Sequence, residues 1–137
     1  DPVDVLQKVG GFDLAAMCGA FLGAAASHRP VVIDGFISAV AALCAVRLKP
    51  EARHYLVPSH ASFEIGYTLA MQAMDLQPML LLGMRLGEGS GCPLAFQVLS
   101  AACAILNDMA TFDQAGIDDG YLDEIREGDK FTVEAPK

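Results

Sequence analysis

The segment Gly83-Met84-Arg85-Leu86-Gly87-Glu88-Gly89-Ser90-Gly91 sets one carboxylate, Glu88, among four glycines where an apolar run gives way to a long helical pattern. Glycine lacks a Cβ and tolerates positive φ, so such a loop lets a ligand come close to the backbone. The N-terminus of the helix that follows favours an anion. Together these features point to a phosphate-bearing substrate beside an acid/base glutamate. Burial of Glu88 between strand and helix would strengthen it as a base. Two other loops, at Asp34-Gly35 and at Ser59 to Ser62, bring polar groups to the ends of apolar runs.

Competing chemistries fail on spacing. A Walker-type loop needs Lys-Ser/Thr after its glycines, and a dinucleotide fingerprint needs another glycine interval and an acidic strand end. Glu88, not serine, holds the glycine-flanked position, so there is no nucleophile elbow. Purely structural readings stand beside the functional ones. The glycines can serve a tight turn alone. Asp34 either caps its own helix or contacts ribose or nicotinate, and Arg85 either meets a phosphate or pairs with a carboxylate. His60 follows Pro58-Ser59 near a ligand-facing strand end, whereas His28 and His54 read as solvated. Cys92 reads as a packed thiol near a helix start.

The elements that must position these residues alternate. Asp13 is expected to cap a helix over 14–27, ended by Pro30, and Val31-Val32-Ile33 is a short apolar strand. A helix over 36–48, a strand over 55–57, a helix over 63–74 and a strand over 79–82 follow. The longest helix spans 93–110, with Ser90 as candidate cap, Pro93 in its first turn and Leu94, Val98, Leu99 and Ile105 as core positions. The pattern predicts an α/β fold, a three-layer arrangement with a mostly parallel sheet and helices on both faces. In such sheets ligands gather beyond the carboxyl ends of the strands, where all three loops fall. Residues 111–137 read as an acidic tail with a short helix near 120–126. Three apolar strands leave two edges to be covered, so more sheet is expected from elsewhere.

Composition narrows the partners. The net charge of -8 is concentrated: residues 107–137 hold three Lys/Arg against nine Asp/Glu, so the rest of the chain is nearly neutral. Without a basic stripe, nucleic acid is not the expected partner. The longest apolar stretch, Leu14 to Ala26, is short and glycine-containing for a membrane span, and no secretory signal is evident. Four cysteines without paired short spacing read as buried reduced thiols, and the expected compartment is the cytoplasm.

Gly10-Gly11-Phe12-Asp13, Ile33-Asp34-Gly35-Phe36, Pro58-Ser59-His60, the loop around Glu88 and Ala110-Thr111-Phe112 occur here in one order. In these motifs the chain resembles the C-terminal part of nicotinate-nucleotide:dimethylbenzimidazole phosphoribosyltransferases. The resemblance implies that residues 1–110 form part of a larger Rossmann-like domain. It also implies phosphoribosyl transfer from nicotinate mononucleotide to 5,6-dimethylbenzimidazole in cobalamin biosynthesis, with neither cofactor nor metal and in a homodimer. It puts the general base on Glu88, substrate contacts on Ser62, Leu86, Gly87 and Gly89, and Asp34 and Gly35 in a neighbouring loop. A related transferase with another azole or phenolic acceptor, or a non-catalytic binding or assembly domain, remains open.

Overall fold

Helix α1 (Pro2–Val9) starts where the Asp1 side chain accepts from the Val3 amide at 3.0 Å, with Pro2 in the first turn and a Lys8–Asp4 pair at 2.8 Å one turn apart. Pro2 needs no donor there, and its fixed φ suits a helix start. This helix was not expected. The structure, a computed structural model, describes residues 1–118 and 120. They fall into two compact units divided within the longest helix, after Ser100.

In the first unit α2 (Phe12–Ala26) leads to strand β1 (Val31–Ile33), helix α3 (Phe36–Leu48), a 3-10 helix (Pro50–Tyr55), strand β2 (Leu56–Pro58) and helix α4 (Ile65–Met74). Gly11, not Asp13, is the N-cap of α2, and Asp13 lies in the first turn, where a carboxylate favours the helix dipole. Tyr55 belongs to the 3-10 helix, not to the strand. The two strands pair in parallel, Val31 with Leu56 and Ile33 with Pro58, with α3 in the crossover. Ala39, Ala41, Ala42 and Ala45 of α3 are fully buried among Cys18, Phe21, Ile33, Tyr67, Ala70, Met71 and Met74. Small side chains on one helix let its neighbours α2 and α4 pack close, and that dense contact is the core.

The apolar run Met79 to Leu82 is not a third full strand. It makes one parallel bridge, Leu80 with His60, in which Leu80 N donates to Ser59 O at 3.0 Å and Ala61 N donates to Leu80 O at 2.9 Å. Leu81 and Leu82 are exposed, and Gly83 at φ 62° ends the run. The ladder stops there because those two residues meet no further backbone among the described residues. The result is an α/β fold with a small, two-stranded parallel sheet.

Helix α5 (Gly91–Asp108) is the longest. Leu94, Val98 and Ile105, expected in the core, are exposed; only Gly91 and Ala95 of this helix are buried. Its apolar residues run nearly all round, so periodicity could not select a buried face. At 18 residues and a mean hydropathy of 1.2 it is long and apolar enough to cross a membrane by length and composition, which the core helix of a soluble protein also satisfies. In the second unit α6 (Phe112–Ala115) is held by a capping box, with Thr111 and Gln114 each accepting from the other's amide. Beyond Gly120 the short helix expected near 120–126, and the end of the acidic tail, lie outside the described residues.

Tyr67 is 1% exposed, and its hydroxyl has no hydrogen-bond partner among the described residues. Burial, aided by the charge of Asp34, pushes its pKa up to about 12. The unfolded value is about 10. The folded state therefore holds this proton more tightly, and stability present below pH 10 is lost as pH rises through 12. Tyr67→Phe is expected to unfold in urea at pH 8 within about 1 kcal/mol of the parent, because no bond is lost. Its stability should fall less than the parent's between pH 10 and 11.

Candidate active site

The three loops converge. Asp34 and Gly35 follow β1, Ser62 and Glu64 follow β2, and Leu86, Gly87, Glu88 and Gly89 precede α5; together with Met17, Phe36, Ile37 and Ser38 they line one cleft of about 450 Å³. All seven residues singled out from the sequence, Asp34, Gly35, Ser62, Leu86, Gly87, Glu88 and Gly89, line it. Met17, Phe36, Ile37, Ser38 and Glu64 were not foreseen. Phe36 and Ile37 open a helix after Asp34-Gly35, and that position was the available signal. A Cβ on Gly66 would lie 2.5 Å from the Phe36 ring, so the bare backbone of α4 leaves room for this wall of the cleft.

The glycine-rich loop is built from left-handed residues. Gly87, Glu88 and Gly89 have φ of 78°, 58° and 75°. The two glycines adopt this without strain, but a glutamate there costs about 1 kcal/mol. Glu88 is exposed, so the burial expected of it is not met within this chain. Among the described residues Arg85 pairs with no carboxylate; its guanidinium lies 5.0 Å from the Phe63 ring centroid.

The anion at the start of α5 is internal. Asp34 accepts from Gly89 N at 3.0 Å through one oxygen and from Gly91 N at 2.8 Å through the other. Ser90 N donates to Gly87 O and Cys92 N to Gly89 O, each at 3.0 Å. The helix start expected to receive a phosphate is thus engaged by the chain's own carboxylate. Asp34 caps α5, not its own helix, and the buried Ser90 hydroxyl, expected as the cap, has no partner among the described residues.

Beneath the loop lie Ser59 and His60, both fully buried. The Ser59 hydroxyl donates to Asp34 O at 3.4 Å and lies 3.0 Å from His60 Nδ1, which stands 3.7 Å from Asp34 Oδ1. Ser62 donates a short hydrogen bond to Glu64, and that bond above all holds the Glu64 carboxyl below the usual carboxylate range. Burial first, then the Asp34 charge, pushes the Cys92 thiol up, so it stays protonated, as a packed thiol would. Of the other cysteines Cys18 is buried, Cys44 half-buried and Cys103 exposed. His28, read as solvated, lies 2.6 Å from the Tyr55 hydroxyl through Nδ1. Among the described residues no three His, Cys, Asp or Glu gather as metal ligands would.

Chemically, the cleft offers a carboxylate on a strained, exposed loop, a second carboxylate at Glu64, hydroxyls at Ser38 and Ser62, and apolar walls. The family model described as "Phosphoribosyltransferase" matches residues 1–117. A nicotinate-nucleotide–dimethylbenzimidazole phosphoribosyltransferase of Clostridium perfringens is 54% identical over 133 residues, 97% of this chain and 37% of that protein. One of Ruminiclostridium cellulolyticum is 61% identical over 118 residues, 86% of this chain and 34% of that protein. The crystal structure of the Thermus thermophilus enzyme of the same name superposes with a TM-score of 0.82 at 40% identity, covering 87% of this chain and 36% of that one. The chain thus spans little more than a third of the length of the relatives it matches. Family model, sequence and backbone agree over most of the chain, and the chain belongs to the nicotinate-nucleotide–dimethylbenzimidazole phosphoribosyltransferase family.

Proposed function

We propose that this chain supplies the phosphoribosyl-transfer loop of an enzyme that converts nicotinate mononucleotide and 5,6-dimethylbenzimidazole to α-ribazole 5′-phosphate and nicotinate. Residues 1–110 carry the transferase part, and 111–137 form an acidic tail. One observation carries the reading: Glu88 is held in a strained conformation at the rim of a cleft into which all three loops open. A residue kept at such a cost, where glycine would cost nothing, points to a role for its side chain.

The chemistry asks little of the protein beyond alignment and one base. An azole nitrogen lone pair attacks C1′ of the ribose, and the C1′–N bond to the pyridinium breaks, with nicotinate leaving with the bonding pair. The proton on the other azole nitrogen passes to the Glu88 carboxylate. Attack opposite the leaving group inverts the anomeric centre and gives the α product. A carboxylate near C1′ also steadies the positive charge that develops on the sugar. Gly35, Ser62, Leu86, Gly87 and Gly89 form the phosphoribosyl side of the cleft, Asp34 lines it with both carboxylate oxygens on the loop amides, and Met17, Phe36 and Ile37 offer apolar surface to an aromatic ring.

The reading includes a cytoplasmic homodimer acting on small molecules. Exposed Phe12, Ile65 and Leu69 are apolar surface available to further chain or to a second subunit. The test is a product assay on the full-length enzyme containing this segment, with nicotinate mononucleotide and dimethylbenzimidazole, followed by separation of the ribotide. Absence of α-ribazole phosphate with this acceptor, and its formation with another azole or a phenol, would reassign the acceptor. Absence with every acceptor would favour a binding or assembly role.

A further inference from the structure

Asp34 lines the cleft, yet both of its carboxylate oxygens are engaged by the loop that carries Glu88. Its side chain is 13% exposed and accepts from residues on either side of Ser90, 55 and 57 positions along the chain. No other side chain among the described residues hydrogen-bonds the amides of Gly89 or Gly91. On the inner side, the fully buried Ser59 and His60 hold Asp34: the Ser59 hydroxyl donates to its carbonyl, and the His60 ring stands against Oδ1. Ser59 is itself fixed in the sheet, its amide donating to Ile33 O at 2.9 Å and its carbonyl accepting from Leu80 N.

We infer that Asp34 is a positioning residue: it clamps the Gly89 and Gly91 amides to the sheet and thereby fixes where the Glu88 carboxylate stands. The three consecutive left-handed residues 87–89 leave the loop without helix or strand bonds of its own. A charge-assisted pair of hydrogen bonds is the strongest tether such a loop has. Gly89 is the immediate neighbour of Glu88, so slack in its amide passes directly to the base. A carboxylate misplaced by about 1 Å costs rate far more than affinity. This inference rests on Glu88 being the base, and its clamp has a readout that does not.

The experiment uses the full-length enzyme containing this segment. Asp34→Asn keeps the side-chain volume but presents an NH2 group to one loop amide, so one bond is lost. In NMR spectra the Gly89 and Gly91 amide protons are expected to move upfield and to exchange faster, in a variant that still folds and unfolds cooperatively. The value of kcat should fall about tenfold, with KM for nicotinate mononucleotide altered less than about twofold. Asp34→Ala, which removes both acceptors, should show both effects more strongly; if it fails to fold, the Asn variant decides. In a Glu88→Gln background Asp34→Asn should slow the enzyme no further, because it acts through Glu88. Unmoved Gly89 and Gly91 amides would overturn the clamp. Effects of the two substitutions that multiply would also overturn it, because Asp34 would then act on the substrate itself. If Glu88→Gln alone leaves turnover intact, it is the base assignment that fails, while the amide signals still report on the clamp.

Discussion

Glu88→Gln in the full-length enzyme is expected to lower turnover by about 100- to 10,000-fold, the range that a positioned general base contributes. Nicotinate mononucleotide should still bind. Glutamine matches glutamate in size and in its exposed, left-handed setting at φ 58°, so neither the loop nor the cleft has reason to change. What disappears is the acceptor for the azole proton. The loss should appear in kcat and in kcat/KM alike, the mark of an interaction made in the transition state. Equilibrium titration of the nucleotide checks the binding half, and single-turnover kinetics the rate half. Turnover within about threefold of the parent would remove Glu88 from the mechanism. Glu88→Gly sharpens the contrast. It should be as inactive but more stable by about 1 kcal/mol, because glycine adopts positive φ without strain. Gain of stability with loss of function at one position separates a catalytic side chain from a structural one.

The loop was legible in the sequence because its chemistry is local: one acid among glycines needs no knowledge of what lies far away. Helices α2, α3 and α4 were legible for the same reason, since apolar composition and proline stops act over a few residues. Three features were not. Helix α1 was overlooked although Asp1-Pro2, the Asp4/Lys8 spacing and the recurrence of Val3, Leu6 and Val9 are start, support and periodicity signals; at eight residues it is shorter than the stretch over which periodicity is read. Met79 to Leu82 has the composition of a buried strand, but a strand exists only where a neighbouring backbone pairs with it, and pairing ends at Leu80. The partners of Asp34 were beyond reach. Local rules assign an aspartate before a helix to that helix, and nothing in residues 30–40 reports that amides 55 and 57 positions onward come to its side chain. The convergence of all seven candidate residues on one cleft follows from a topological rule, that loops at the same end of a parallel sheet meet, and not from any property of the residues themselves.

That same convergence makes Gly91 the least replaceable glycine of the loop. Its φ is not in the left-handed region, so conformational freedom is not the reason. Space is. A Cβ there would lie 2.7 Å from the Ser59 hydroxyl oxygen and 2.8 Å from His60 Cε1, and closer still to His60 Nδ1. Neither neighbour can yield: both are fully buried, and the backbone of Ser59 is bonded to β1 on one side and to Leu80 on the other. Gly91→Ala must therefore push the start of α5 away from the sheet. Overpacking of this kind costs about 1–3 kcal/mol. The shift also draws the Gly91 amide from Asp34 and displaces the Glu88 loop, for which a loss of up to about 100-fold in turnover is expected. Gly89→Ala is the control. Its Cβ would meet open space at φ 75°, so only backbone strain of about 1 kcal/mol applies. Unfolding midpoints of the two variants, measured side by side with steady-state rates, should rank Gly91→Ala as the more damaging in both. If Gly91→Ala unfolds with the parent, the start of α5 does not rest on Ser59 and His60, and the loop has some other support.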